Sequence, residues 1–148
     1  MKIAIGSDHG GFNLKQEVIN HLQAKGIELK DFGTNSTASC DYPDIAFEVG
    51  EAVAKKEYDL GILICGTGIG IGIAANKIPG IRAALCHDTF SAHASREHNN
   101  ANILTMGERV IGSGLALDIV DTFISSDFQG DRHLRRINKI SEIENKFK

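Results

Sequence analysis

The sequence has few cysteines, no large excess of charge of one sign and no long apolar run. Its three cysteines, Cys40, Cys65 and Cys86, are odd in number and widely spaced, which argues against a disulfide framework or a Cys-x-x-Cys site. A formal net charge of -3 with both signs well mixed argues against a nucleic-acid partner. No apolar stretch approaches the roughly 18 residues of a membrane span. These features predict a cytoplasmic protein with free thiols that binds a small ligand.

Short apolar runs alternate with longer amphipathic segments along the whole chain. The compact runs predict five strands, at about 2–6, 27–32, 59–64, 81–86 and 102–106. Apolar residues at helical spacing predict helices at about 12–25, 44–57, 71–77, 89–98, 113–125 and from 131 to the chain end. This alternation predicts one three-layer α/β/α, Rossmann-like domain over 1–148, with a five-stranded parallel sheet and an extended C-terminal helix.

In such a sheet, ligands bind beyond the carboxyl ends of the strands. The strongest candidate there is the segment CGTGIGIG at 65–72. Glycines let backbone N–H groups approach an anion, the following helix adds its positive end, and a cysteine at that junction favours its thiolate form. The plainer alternative is a tight turn with a buried, inert thiol. We favour close packing only for Gly72, because it lies inside the predicted helix.

Three familiar phosphate motifs do not fit this loop. A P-loop requires Gly-Lys-Ser/Thr, and the next lysine is Lys77. A dinucleotide fingerprint would need glycine at 71 or 73, and a Cys-x5-Arg phosphatase loop would need arginine at 71. Those positions hold Ile71 and Ile73. The loop is therefore predicted to hold an anion or oxyanion beside a thiol.

Two polar pairs could contribute to the same site. Asp8 and His9 end the first strand, where a capping turn is the common function of such a pair, but the expected proximity of Cys65 favours contact with a ligand. His98 and Asn99 lie at the end of a predicted helix. Their spacing leaves a simple C-cap and an acid/base group equally open.

Arginines could supply a phosphate clamp. Arg132 and Arg136 are four residues apart and share a helix face, where a solvated surface is the commoner interpretation. Arg109 follows the fifth strand and could join them. The remaining histidines have no distinguishing context and are predicted to be structural or exposed: His21, His87, His93 and His133.

Six motifs, in this order, resemble type B ribose-5-phosphate isomerases, within the larger group that includes galactose-6-phosphate and allose-6-phosphate isomerases. They are GSDHGG at 6–11, DYPDIA at 41–46, ICGTGIGIGIAANK at 64–77, GIRAAL at 80–85, SREHNNAN at 95–102 and DRHLRRI at 131–137. The resemblance covers essentially the whole chain. It implies interconversion of ribose 5-phosphate and ribulose 5-phosphate in the pentose phosphate pathway, with no metal and no other cofactor.

The resemblance also implies roles for individual residues. Cys65 would be the base that moves a proton between C2 and C1, with Thr67 orienting that centre. His98 would act as acid/base in opening the furanose ring, with Asp8 nearby. The anion hole for the enediolate would be formed by the backbone of Gly66, Thr67, Gly68, Ile69 and Gly70.

The sugar phosphate would be held by a further set of side chains. Asn99 would bind sugar hydroxyls and Tyr42 would line the sugar site. The phosphate would be surrounded by His9, Arg109, Arg132 and Arg136. The family is dimeric, so a homodimer, or a tetramer, is expected, with His98 and Asn99 reaching the partner's Cys65 pocket. An apolar stripe on the C-terminal helix offers a reason, because a lone small domain would leave it exposed.

Alternatives remain at this point. The presence of the His98-Asn99 pair favours a pentose phosphate, although allose 6-phosphate or a related hexose phosphate stays open. Ile69 and Ile71 provide no carboxylate that could replace Cys65 as base. Outside the isomerases, a non-catalytic sugar-phosphate sensor on the same fold is the second hypothesis. A thiol phosphatase is disfavoured by Ile71.

Overall fold

A single parallel sheet organises the chain. The computed structural model describes residues 1–148, and its strands are β1 (Lys2–Ser7), β2 (Glu28–Asp31), β3 (Leu60–Cys65), β4 (Ala83–Leu85) and β5 (Ile103–Gly107). The helices are α1 (Phe12–Ala24), α2 (Tyr42–Ala54), α3 (Ile69–Ala75), α4 (Thr89–Glu97), α5 (Ser113–Ser125) and α6 (Arg132–Asn145). All neighbouring strands are parallel, in the order β2-β1-β3-β5-β4. The predicted three-layer, Rossmann-like architecture is confirmed.

The most apolar strands occupy the centre of the sheet. Every residue of β3 and β5 is buried, whereas β2 at one edge is largely exposed. The opposite edge strand, β4, is only three residues long. The side-chain amide of Asn76 covers its outer edge, because it donates to the carbonyl of Ala83 and accepts from the N–H of the same residue. This pairing protects an edge that would otherwise be free to pair with another chain.

Apolar side chains fill both faces of the sheet. Alternation along β3 directs Ile62 and Ile64 into a core of 18 buried residues with α1 and α5. Leu63 and Cys65 point to the other face and belong to a core of 10 buried residues with α2 and α3. Cys65 therefore ends its strand on the α2–α3 side.

Two helices begin earlier than the sequence predicted. The sequence predicts the second helix from about residue 44, where Asp44 can act as its cap, and this start is wrong, since α2 begins at Tyr42 after Asp41. Pro43 lies in its first turn, where a residue without an N–H donor is tolerated. The third helix begins at Ile69 rather than at residue 71, because Gly68 adopts a left-handed φ of 77° and ends the preceding loop.

The C-terminal helix α6 is only lightly attached to its own chain. His133 and Ile137 are its buried residues. The other apolar side chains of its predicted stripe are exposed: Leu134, Ile140, Ile143 and Phe147. None of the helices is both long and apolar enough to cross a membrane.

Candidate active site

The Cys65 loop surrounds a buried thiol with backbone N–H groups. Cys65 is 4% exposed, and its Sγ accepts a hydrogen bond from the N–H of Gly68 at 3.1 Å. The Ile69 N–H donates to Thr67 Oγ1 at 3.2 Å. The N–H groups of Gly66, Thr67 and Gly70 make no hydrogen bond within the chain. The loop thus presents a polarised sulfur beside donors that are free to bind an anion.

The end of β5 presses directly against this loop. A β-carbon added at Gly68 would lie 2.7 Å from the carbonyl carbon of Met106, and one added at Gly107 would lie 2.6 Å from that of Thr67. Thr105 Oγ1 donates to the carbonyl of Gly68 at 2.9 Å. These contacts require glycine at both positions and hold the loop in one conformation.

His87 also supports the loop, a role not predicted from the sequence. Its Nε2 accepts a hydrogen bond from the N–H of Gly107 at 3.0 Å. Because Gly107 touches Thr67, His87 holds the strand end against the Cys65 loop. The sequence gives one indication of this role. His87 follows β4 by two residues and therefore lies at the carboxyl ends of the strands, where ligands bind.

The turn after β1 reaches the same loop. Asp8 Oδ1 accepts the N–H of Gly10 at 2.9 Å, and a β-carbon at Gly10 would lie 3.2 Å from the nitrogen of Gly66. Asp8 therefore forms the capping turn and also lies beside the loop. His9 Nδ1 accepts the N–H of Cys40 at 3.2 Å, which places the proton of the neutral ring on Nε2.

Tyr42 and Arg109 complete this group. The aromatic ring of Tyr42 lies against Gly70, where an added β-carbon would be 2.7 Å from it. The guanidinium of Arg109 lies against Gly66, with Nη1 3.4 Å from the corresponding position. We call this group the Cys65 pocket, and it comprises Asp8, His9, Tyr42, residues 65–70 and Arg109.

The other candidate residues lie at the end of the sheet opposite Cys65, near the amino ends of the strands, which we call the amino edge. Since α4 follows β4 and runs back along the parallel strands, His98 at its end lies near their amino ends. A strand of six residues is roughly 20 Å long, so a single chain does not bring His98 or Asn99 to Cys65. The start of α6 lies beside them, because the N–H of Gln129 donates to the carbonyl of Glu97.

At this edge the imidazoles of His98 and His133 stack, with ring centroids 4.4 Å apart and planes 12° apart. Arg132 and Arg136, on the same turn of α6, are exposed. Burial lowers the pKa of His133, and the charges of Arg132, His98 and Arg136 lower it further. His133 Nε2 is buried with no partner in the chain. His133 is thus structural and not exposed, and the sequence offers one sign of its burial, since it lies one helical turn before buried Ile137.

A wide groove lies at the amino end of the sheet, away from Cys65. It has a volume of about 690 Å³ and runs between α6 and the segment before β4, with Asn99 and Arg82 in its wall. No group of three or more His, Cys, Asp or Glu side chains is close enough to hold a metal ion.

A Rossmann-like sheet that presents a thiol, an imidazole and free N–H donors at its carboxyl edge defines a small-molecule enzyme. The family model for Ribose/Galactose Isomerase matches residues 3–140. Ribose-5-phosphate isomerase B of Escherichia coli (strain K12) is 51% identical over 143 residues, which cover 97% of this chain and 96% of that protein. D-erythrulose-4-phosphate isomerase of Pectobacterium atrosepticum is 40% identical over 149 residues, covering 100% and 98%.

Among solved structures, ribose-5-phosphate isomerase B of Clostridium thermocellum superposes with a TM-score of 0.99. It is 59% identical, and the alignment covers 100% of both chains. The chain belongs to the ribose/galactose isomerase family, and it is an isomerase.

Proposed function

We propose that this isomerase interconverts ribose 5-phosphate and ribulose 5-phosphate through an enediolate. The observation that supports this most directly is the Gly68 N–H donated to Cys65 Sγ within a loop in which the N–H groups of Gly66, Thr67 and Gly70 are free. Proton abstraction next to a carbonyl needs a base and a receptor for the developing oxyanion, and this loop provides both. The names of the relatives in Escherichia coli and Clostridium thermocellum agree with this substrate.

In the proposed reaction, the Cys65 thiolate removes the proton from C2 of the open-chain aldose, which leaves an enediolate with its charge on O1. The resulting thiol returns the proton to C1 as the proton of the O2 hydroxyl moves to O1, so the ketose forms with no net loss of protons. Backbone N–H groups of Gly66, Thr67, Gly68, Ile69 and Gly70 surround the developing charge, with Thr67 orienting the centre. One such donor is worth roughly 3 kcal/mol of barrier.

We further propose that the complete site is shared between two copies of the chain. His98, acting with Asp8 in ring opening, and Asn99, binding sugar hydroxyls, lie at the amino edge of their own sheet and so would serve the Cys65 pocket of a second copy. The exposed apolar side chains of α6, next to this edge, favour a homodimer. Three free thiols favour a reducing compartment, and we propose the cytoplasm.

Phosphate binding is proposed for residues from both edges. His9 has Nε2–H available as a donor, because its Nδ1 is occupied by the N–H of Cys40. Arg109 lies in the same pocket. Arg132 and Arg136 would come from the second copy, since they lie with His98. Tyr42, over Gly70, would line the sugar site.

Substitution of the thiol tests the base assignment. In Cys65→Ala and Cys65→Ser we expect ketose formation to be nearly abolished, while calorimetry still detects binding of ribose 5-phosphate. Cys86→Ala, which removes a buried thiol from the other core, is the matched control and should retain activity. A Cys65→Ala enzyme with near-normal kcat would contradict the role of Cys65.

A substrate panel tests the choice of sugar. We expect the highest kcat/KM for ribose 5-phosphate among the 5-phosphate of ribose, the 6-phosphates of allose and galactose, and erythrulose 4-phosphate. The last is included because a relative of 40% identity is named for it. A preference for allose 6-phosphate would favour the hexose-phosphate alternative. Binding of ribose 5-phosphate with no ketose formed would instead indicate a sensor.

A further inference from the structure

Two arginines hold the turn that follows α4. Arg82 Nε donates to the carbonyl oxygens of Asn99 at 3.1 Å and Asn100 at 3.0 Å. Arg96 Nη1 donates to the carbonyl of Ala101 at 2.5 Å and to Asn100 Oδ1 at 3.2 Å. The backbone carbonyls of Asn99, Asn100 and Ala101 are therefore all bound by guanidinium groups. We call residues 98–101 the 98–101 turn.

The turn needs this support because its backbone is unusual. Asn100 adopts a left-handed φ of 46°, a conformation that a side chain other than glycine adopts at some energetic cost. The side-chain amide of Asn102 adds to the support, since its Oδ1 accepts the backbone N–H of Arg82 and its Nδ2 donates to the carbonyl of Gly80. The segment before β4 and the 98–101 turn are thus joined by several hydrogen bonds.

Neither arginine has a carboxylate oxygen within 4.0 Å. Burial lowers the pKa of both guanidinium groups, while the more distant carboxylates of Glu144 and Asp127 raise the pKa of Arg82 and Arg96, respectively. Arg96 Nε is buried without any partner. Both arginines are half-buried, and their hydrogen bonds go to carbonyl and amide oxygens with no carboxylate in contact, so what these bonds secure is the conformation of the turn.

We propose that Arg82 and Arg96 are positioning residues of the shared active site. They fix the 98–101 turn so that His98 and Asn99 project from their own chain into the Cys65 pocket of a second copy. The inference rests on the proposed function, and it assigns to these arginines an effect on the site of the other subunit and not on their own.

The first measurement is activity with ribose 5-phosphate. In Arg82→Met and Arg96→Met we expect kcat/KM to fall at least about tenfold, because charged hydrogen bonds to the turn are lost. Arg135→Met removes an exposed arginine of α6 that makes no hydrogen bond and should change kcat/KM by less than about twofold. If the Met variants fold poorly, Arg82→Lys and Arg96→Lys keep the charge but lose the planar, fixed arrangement of guanidinium donors, and the same losses are expected.

The deciding measurement is complementation between chains. Hybrids of an Arg82→Met chain and a Cys65→Ala chain contain one site with an intact Cys65 pocket and an intact 98–101 turn. Random pairing should restore activity to about a quarter of the wild-type value. In the hybrid, the Arg82→Met chain supplies the Cys65 pocket of the intact site. If the substitution had damaged the whole fold of that chain, this pocket would be damaged too and activity would not recover. Hybrids of His98→Ala and Cys65→Ala chains are the reference.

Each outcome separates the inference from the function on which it rests. Recovery in both mixtures supports the positioning role. Recovery only in the reference mixture, or full activity of the arginine variants alone, overturns it. No recovery in either mixture overturns the shared site and the inference with it. Absence of ketose formation by the wild-type enzyme overturns the proposed function itself.

Discussion

Gly68 has the narrowest steric tolerance in the Cys65 loop. It combines a φ of 77° with a carbonyl carbon 2.7 Å from the position of a β-carbon, so Gly68→Ala adds both backbone strain and a clash with β5. We expect the free energy of unfolding to fall by about 2–4 kcal/mol and kcat to fall with it, because the donor to Cys65 Sγ moves. Urea denaturation and steady-state kinetics measure the two effects.

The control for this substitution is Gly80, which has a φ of 87° and open space around its α-carbon. Gly80→Ala carries the backbone strain alone, so about 1 kcal/mol of destabilisation and unchanged kcat are expected. Equal losses of stability in the two variants would show that contact with β5 contributes nothing.

The burial of Lys15 and the two acceptors of its ammonium could not be predicted from the sequence. Lys15 lies on α1 and is fully buried, with its ammonium bound to Asp31 Oδ1 at 2.6 Å and to the carbonyl of Thr34 at 2.5 Å. Its partners come from a different element, so no local pattern indicates them. The Cys65 loop, by contrast, was identified from the sequence because thiol, glycines and helix start are adjacent in the chain.

Removing the Lys15 ammonium should be costly because both acceptors stay behind. We expect Lys15→Met to lower the free energy of unfolding by about 2–4 kcal/mol. Lys55→Met, which breaks an exposed pair with Glu51 on α2, is the matched control and should leave the free energy of unfolding nearly unchanged. Equal values in urea denaturation would contradict a structural role for the buried ammonium.

At the scale of elements, periodicity identified all five strands and six α-helices but placed some ends poorly. The central strands are continuous apolar runs, which short-range patterns detect well. The second helix begins at Tyr42 and not near residue 44, because Asp41 is as suitable an N-cap as Asp44 and local pattern cannot choose between them. The apolar stripe of α6 faces outward, as the pattern led us to expect for a lone small domain.

The contact between α4 and α6 should make stability depend on pH. The pKa of His133 in the folded chain lies below its ordinary value of 6.5, so below that pH the unfolded chain binds more protons than the folded one. Stability is therefore expected to rise between about pH 5 and pH 7. His133→Phe keeps an aromatic ring against His98 but cannot titrate, and urea midpoints across this range should become less dependent on pH.

A dependence on pH that is unchanged in His133→Phe would show that other groups determine it. A loss of stability at all pH values, with the slope preserved, would indicate packing of the ring as the only contribution of His133. Both results preserve the slope of stability against pH and differ only in the level of stability, whereas the expected result is a smaller slope, so the same titration distinguishes all three.

At the scale of the whole molecule, the chain divides the proposed chemistry between two edges of one sheet. Parallel strands place Cys65 at their carboxyl ends, and each helix returns the chain to the amino ends, where His98 and α6 lie. The sequence could list both groups of residues but could not show that they lie apart. A second copy with its α6 buried against the first would bring the two groups together.

This arrangement makes activity depend on assembly. Ile140 lies on the exposed stripe of α6 and is 50% exposed, so Ile140→Asp should leave the folded chain intact while opposing burial of the stripe. We expect sedimentation velocity to show a shift towards monomer and ribose 5-phosphate turnover to fall at least about tenfold at the same protein concentration. Phe47→Asp changes a similarly exposed residue on α2 and should preserve both assembly and turnover. An Ile140→Asp enzyme that is monomeric and fully active would show that one chain suffices, and the shared site would then be wrong.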